Sequence, residues 1–153
     1  MSSRTAFPGT ITDGEVATAL DNNSLPGGWI GYEEVTAPQN TIGTSPTPLT
    51  SLTIAVTVPA GRMIRVTGKA QFAWLGTSEA PALYIYEGGS QLDEARCGAV
   101  TAGFFGVLAQ AVIFPSAGTH TYFLQADTTN ATVNMVASST QKAYILVEDL
   151  GSV

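Results

Sequence analysis

Residues 52–74 read LTIAVTVPAGRMIRVTGKAQFAW, and their pattern decides the fold class. Leu52, Ile54, Val56 and Val58 fall on one side of a period-two repeat, with Thr53, Ala55 and Thr57 on the other. After Pro59-Ala60-Gly61 the alternation resumes. Ile64, Val66, Ala70, Phe72 and Trp74 share a face opposite Met63, Arg65, Thr67, Lys69 and Gln71. Period two over this length describes β-strands with one buried and one wet face. A three-residue connection ending in Gly suits a hairpin in which the Gly takes positive φ. The expectation is an antiparallel β domain with residues 52–58 and 62–74 paired side by side.

Working outward, the same punctuation recurs. WIGYEEVT (29–36) reads as a first strand with Ile30, Tyr32 and Glu34 on one side, and APQNTIGTSPTP (37–48) as a loop. PALYIYE (81–87) is a strand that Gly88-Gly89 turns into QLDEARC (91–97). Residues 75–80 and 99–103 read as connections. FFGVLAQAVIF (104–114) is the longest apolar run, and Pro115-Ser116-Ala117-Gly118 turns it as 59–61 turns the first, so two similar hairpins are expected. Strands at 119–126, 131–137 and 142–150 complete a set of about eight or nine, with turns roughly every ten residues, the signature of a two-sheet sandwich. The fold class is therefore all-β, an antiparallel two-sheet sandwich of jelly-roll type spanning 29–153. An immunoglobulin-like sandwich is second, and its Cys–Trp–Cys signature is absent.

Residues 1–28 read as a separate arm. Thr12-Asp13-Gly14-Glu15 has the form of a capping box, Thr12 as N-cap and Glu15 reaching back. Val16, Ala19 and Leu20 then share one face of a short helix ending near 21–23. Its apolar stripe is too small to stand alone. Thr12, Glu15, Val16 and Leu20 are thus candidates for attachment to the domain, another copy or a partner.

The 153 residues suit one domain, and 44% apolar content suffices for a core. Charged residues are only 12%, about half the usual share. A net charge of −6 argues against nucleic-acid and anionic-membrane binding, which need basic patches. Locally the balance reverses. No acid occurs between Val35 and Ser78, where Arg62, Arg65 and Lys69 lie. That strand face is either solubilising or a dock for an acidic partner. No secretory leader and no apolar run near the ~20 residues of a membrane span is seen, so synthesis in a cytoplasm is expected.

Converging titratable groups are scarce. His120 is the sole histidine and opens a strand after a Gly turn, so a capped or solvent-facing role is expected. Cys97, also single, excludes an intrachain disulfide and a CxxC metal site, and reads as a buried structural thiol. Adjacent Asp93 and Glu94 point to opposite faces of a strand, as do Glu33 and Glu34, so neither pair is an acid/base couple. Glu148 and Asp149 read as solvent-facing edge charges. No EF-type loop, P-loop or GxSxG occurs. We expect no enzyme, no cofactor and no metal. Trp29, Trp74, Tyr84 and Tyr86 could stack on sugar rings, although core or interface burial suits their alternating positions better.

Three strands break the rule that a lone sandwich has polar outer faces: 82–87, 104–114 and 143–150. A symmetric neighbour is the economical cover, since homo-oligomer interfaces resemble cores. Tyr84, Tyr86, Phe104 and Phe114 are the candidate subunit-interface residues.

The segments LPGGWIGYEEVTAPQ, LTSLTIAVTVPAGRMIRVTGKAQF, FPSAGTHTYFLQA and AYILVEDLGSV, in this order, resemble small structural proteins of tailed bacteriophages, notably those of actinobacteria, called head fibre, capsid decoration or minor tail proteins. The resemblance spans 25–153. It implies a jelly-roll knob, usually a homotrimer, on the virion surface, held by its N-terminal arm to the major capsid protein or another virion protein. It implies no active-site residues. The alternative is a minor tail or baseplate protein binding a host cell-surface glycan through loops such as 37–48 and 75–80, which hold almost no aromatics.

Overall fold

The computed structural model describes residues 3–5, 10–12, 27–130 and 133–152. Its strands are β1 (Ser3–Thr5), β2 (Thr10–Thr12), β3 (Gly28–Val35), β4 (Gln39–Ile42), β5 (Thr47–Val58), β6 (Arg62–Glu79), β7 (Ala82–Glu87), β8 (Ser90–Arg96), β9 (Val100–Ile113), β10 (Gly118–Asp127), β11 (Val133–Val136) and β12 (Ala143–Ser152). β1 and β2 pair with each other. A four-stranded sheet has the order β5-β10-β7-β8. A six-stranded sheet has the order β3-β12-β6-β11-β4, with β9 on the other side of β6.

All ladders are antiparallel, and the principal ones nest. β3 pairs β12, β5 pairs β10, β6 pairs β9 and β7 pairs β8. First meets last and each next strand meets the next from the end. That is one long double ribbon, folded back at Gly88-Gly89 and rolled into two facing sheets, which is the jelly-roll topology. The innermost turn is tight because Glu87 faces Ser90 and Gly88 adopts φ of 56°.

This pairing corrects the reading of 52–74. β5 and β6 belong to different sheets, so Pro59-Ala60-Gly61 is an arch between sheets and not a hairpin turn. The alternation itself is as expected. Leu52, Ile54, Val56 and Val58 are buried, as are Ile64, Val66, Ala70, Phe72 and Trp74, but the two sets face each other across the core. Gly61 has φ of 72°, as the turn required. Residues 114–117 form the matching arch from β9 to β10. The arches lie side by side, because Gly118 faces Val58 in one sheet and Ile113 faces Ile64 in the other.

Sheet-to-sheet packing explains two glycines within strands. A Cβ on Gly68 of β6 would sit 2.5 Å from Leu124 Cδ2 of β10, and one on Gly31 of β3 would sit 2.5 Å from Ile54 Cδ1 of β5. At both positions a side chain of the opposite sheet fills the space a methyl group would need.

Several boundaries differ from expectation. Residues 37–48 contain β4, because Ile42 is buried and Gln39 acts as a surrogate strand neighbour for β5. Its amide accepts from Thr50 N at 2.7 Å and donates to Pro48 O at 3.0 Å, across a bulge where Ser51 has φ of 64°. Residues 75–79 and 100–103 are not loops, since β6 and β9 run on as a ladder to Glu79 and Val100. In β3 the extra residue is Ile30, opposite the step from Val147 to Glu148. This bulge turns Ile30 toward the core and leaves Tyr32 and Glu34 outside. Asp149 is buried at 7% exposure, contrary to the expected edge charge. Both its oxygens accept from Arg62 Nε, at 2.9 and 3.0 Å, and Gly151 N donates to it at 3.0 Å. The N-terminal helix lies outside the described residues.

Candidate subunit interface

The outer face of the six-stranded sheet is set by register. Residues directly opposite share a face, so three transverse rows can be read from β3 to β9. They are Glu34–Tyr144–Lys69–Leu108, Tyr32–Leu146–Thr67–Gln110 and Trp29–Glu148–Arg65–Val112. Two of the three rows end on an apolar residue at the β9 side, and two begin on an aromatic at the β3 side. The middle is largely polar.

The β9 margin is a row of outward residues. Phe104 is 69% exposed, Leu108 54%, Val112 50% and Phe114 62%. Their neighbours Phe105, Val107, Ala109, Ala111 and Ile113 face inward and pack on the core. β9 is apolar on both faces, and among the described residues only the inner one is covered. Its free edge is capped at one point, where Gln110 N donates to Asp93 of β8 at 2.8 Å.

The β3 margin is aromatic. Trp29, 69% exposed, stacks on Tyr32 with centroids 6.0 Å apart, and Tyr32 lies 5.8 Å from Tyr144. The Tyr32 hydroxyl donates to Glu34 at 2.6 Å, and Lys142 donates to the same carboxylate at 2.9 Å. The Lys142 and Tyr32 hydrogen bonds hold Glu34 below the ordinary carboxylate range. The bond to Glu34 is also the main reason that the Tyr32 phenol is pushed up to about 12.

The polar spine between the margins neutralises itself. Arg65 Nε donates to Glu148 at 2.8 Å, Gln110 donates to Thr67 at 3.1 Å, and Lys69 lies 5.9 Å over the Tyr144 ring. With Arg62 buried against Asp149, the basic trio of the sequence dissolves into ion pairs and one exposed lysine.

The four expected interface residues separate into two groups on opposite sides of the molecule. Phe104 and Phe114 lie on the β9 margin. Tyr84 and Tyr86 lie on the outer face of the other sheet, and their own chain covers them. Tyr84 is 5% exposed. It donates to Asp127 at 2.8 Å and accepts from Arg96 at 2.7 Å, and burial, foremost, raises its phenol well above the ordinary value. Tyr86 is half-buried and stacks on Phe123 at 5.6 Å. Sequence reading missed Leu108, Val112, Tyr32 and Tyr144. The even spacing of Phe104, Leu108, Val112 and Phe114 inside the apolar run carried the signal for β9. Of the attachment candidates, Thr12 ends β2, while Glu15, Val16 and Leu20 lie outside the described residues.

Cys97 is half-buried beside Pro81 at the start of β7, and burial pushes its thiol up. His120 meets Glu87 at the other end of that strand, so the two cannot act together. Asp93 caps β9, and Glu94 binds Arg96 at 3.1 Å.

No family model matches this chain, and no curated protein matches it. Among solved structures it is similar to Eiger TNF from S. frugiperda, with a TM-score of 0.51 and 10% identity over 82% of this chain and 95% of that one. That likeness shows the fold. The tripod from the baseplate of bacteriophage Tuc2009 aligns with a TM-score of 0.45 and 10% identity over 97% of this chain and 78% of that one. Infectious bursal disease virus, Gx strain, aligns with a TM-score of 0.43 and 12% identity over 95% and 43%.

Proposed function

We propose that this chain is a non-enzymatic structural protein of a tailed-phage particle, a homotrimeric capsid decoration or head fibre protein held by its N-terminal arm to the major capsid protein. One observation carries the assembly part. The apolar outer half of β9 is left bare by the described residues, and an aromatic margin lies at the opposite edge of the same sheet. Contiguous exposed apolar surface of this kind marks an interaction site. Two unlike patches at opposite edges favour heterologous contact, the β9 margin of one copy against the β3 margin of the next. Such contacts close into a ring when the rotation allows. Arg65 and Glu148 in the spine are already paired, which limits the charge that a neighbour would bury unpaired to Lys69. The particle location rests on the sequence resemblance.

The test is reconstitution. Deletion of residues 1–24 is expected to leave a folded trimer that no longer binds particles lacking this protein. Binding by the truncated chain overturns the anchoring role. Localisation of the full chain to the tail tip by electron cryo-microscopy overturns the decoration role. It would favour the minor-tail reading, in which the exposed Trp29–Tyr32 pair offers a surface for a glycan ring.

A further inference from the structure

His120 stands between two acceptors. Its Nδ1 lies 2.5 Å from Glu87 Oε1 and its Nε2 lies 2.8 Å from the carbonyl oxygen of Ser116. A neutral imidazole has one N–H, so it can donate to only one of them and must turn a lone pair toward the other. The imidazolium donates to both. The three groups come from places the fold brings together. Glu87 ends β7 beside the Gly88-Gly89 turn, Ser116 sits in the arch leaving β9, and His120 is on β10. The side chain is 12% exposed, so water is a poor substitute for either acceptor.

We propose that His120 is a proton-held latch that ties the Phe114–Gly118 arch to the end of β7, closed in the imidazolium form and released when the proton leaves. The consequence falls on Phe114, the exposed end of the β9 row, which shares the arch with Ser116. The titratable and charged groups that face the ring are Glu87 from β7 and Tyr122 on its own strand, whose ring lies 6.3 Å away and nearly parallel. β5 presents Val56 opposite, with Thr57 paired to Thr119 alongside. The Glu87 contact, and after it the Ser116 carbonyl, raise the affinity of His120 for its proton above the ordinary value.

A histidine whose folded value is raised contributes stability that is fully present below its unfolded value near 6.5, and that is lost as pH climbs through the folded value. The latch is therefore closed in mildly acidic solution and opens toward alkaline pH. It lies within one chain, so it stands or falls apart from the oligomeric state.

The chain has a single histidine, so the His Cε1–H resonance of the whole protein reports one site. In a titration of the wild type, its midpoint is expected above 6.5, and the amides of Ser116, Ala117 and Gly118 and the Phe114 ring signals are expected to move with the same midpoint. In Glu87→Gln the midpoint drops, and the arch signals drop with it. A wild-type midpoint at or below 6.5, or arch signals that stay still while His120 titrates, overturns the latch. Both wild-type readouts stand without the variant, should it not fold.

Discussion

Leu108→Asp tests the bare margin of β9 directly. Leu108 sits mid-row, 54% exposed, with Lys69 opposite it on β6. Full burial of a leucine side chain is worth about 1.5–3 kcal/mol. About half of that remains to be gained when another copy covers the site, so the substitution loses roughly 1 kcal/mol of burial per junction. The new carboxylate adds a second cost, because it must be desolvated against an apolar margin, and the exposed Lys69 opposite repays only part of that. Together the two effects come to about 3 kcal/mol and weaken each junction on the order of a hundredfold. The isolated chain loses little, because outer-face substitutions usually stay within about 0.5 kcal/mol. Light scattering after size exclusion gives the mass, to be compared with three times the 15.9 kDa chain mass for the wild type, and circular dichroism gives the melting curve. The expected result is a folded single chain. Thr53→Asp, on the exposed face of the other sheet, is the matched control and keeps the wild-type mass. The interface assignment is refuted if Leu108→Asp retains the wild-type mass, if Thr53→Asp dissociates instead, or if the wild type itself runs at the single-chain mass.

Other outcomes follow from the core and the margins. Gly68→Ala drives a methyl into Leu124 and is expected to cost about 1–3 kcal/mol of stability by overpacking. Pairing it with Leu124→Val in a denaturant series should return part of the loss. If Gly68→Ala is neutral, the two sheets are not closely apposed at this point. Asp149→Ala leaves the Arg62 guanidinium buried without its carboxylate and should cost about 3–5 kcal/mol, whereas Glu148→Ala, at a part-exposed pair, should cost about 1 kcal/mol or less. Similar melting temperatures for the two variants would contradict that ranking. In an alkaline absorbance titration Tyr32 ionises near 12, and Glu34→Gln brings that step down toward the ordinary phenol value of about 10. An unshifted step would mean that Glu34 does not hold the phenol.

Period-two alternation reports which way side chains face, and there the sequence was legible. The inner residues of β5 and β6 can be named from the pattern alone. Alternation does not report which strand lies alongside. Pro59-Ala60-Gly61 serves an arch as well as a hairpin, because both need a short connection with one positive-φ residue. The jelly roll follows from which ladders nest, and that depends on contacts far apart in the chain. β4 was illegible because it is four residues long, its pairing with β11 is interrupted by a register shift, and its link to β5 runs through one glutamine amide. Asp149 looked like an edge charge because its partner, Arg62, begins a strand far away in the chain. Which outward apolar residues stay exposed was half legible for a similar reason. Tyr84 and Phe104 look alike in sequence, each on a strand with two apolar faces. What separates them is Arg96 and Asp127, which cover Tyr84, while nothing in the described chain covers Phe104.

The nested ladders also bear on how the chain is made. β3 is synthesised well before its pairing partner β12, since Val35 must wait for Ala143. β6 waits likewise for β9 and β12, and β5 for β10. Within the two sheets of the sandwich, β7 and β8 are the consecutive strands that meet at once. Growth from that central turn outward is the order of lowest loop-closure cost, and the high sequence separation of the outer ladders predicts slow folding, in milliseconds to seconds. Until β12 arrives, β3 and one side of β6 are open edges, so a nascent chain of this design is most vulnerable to aggregation just before β12 emerges.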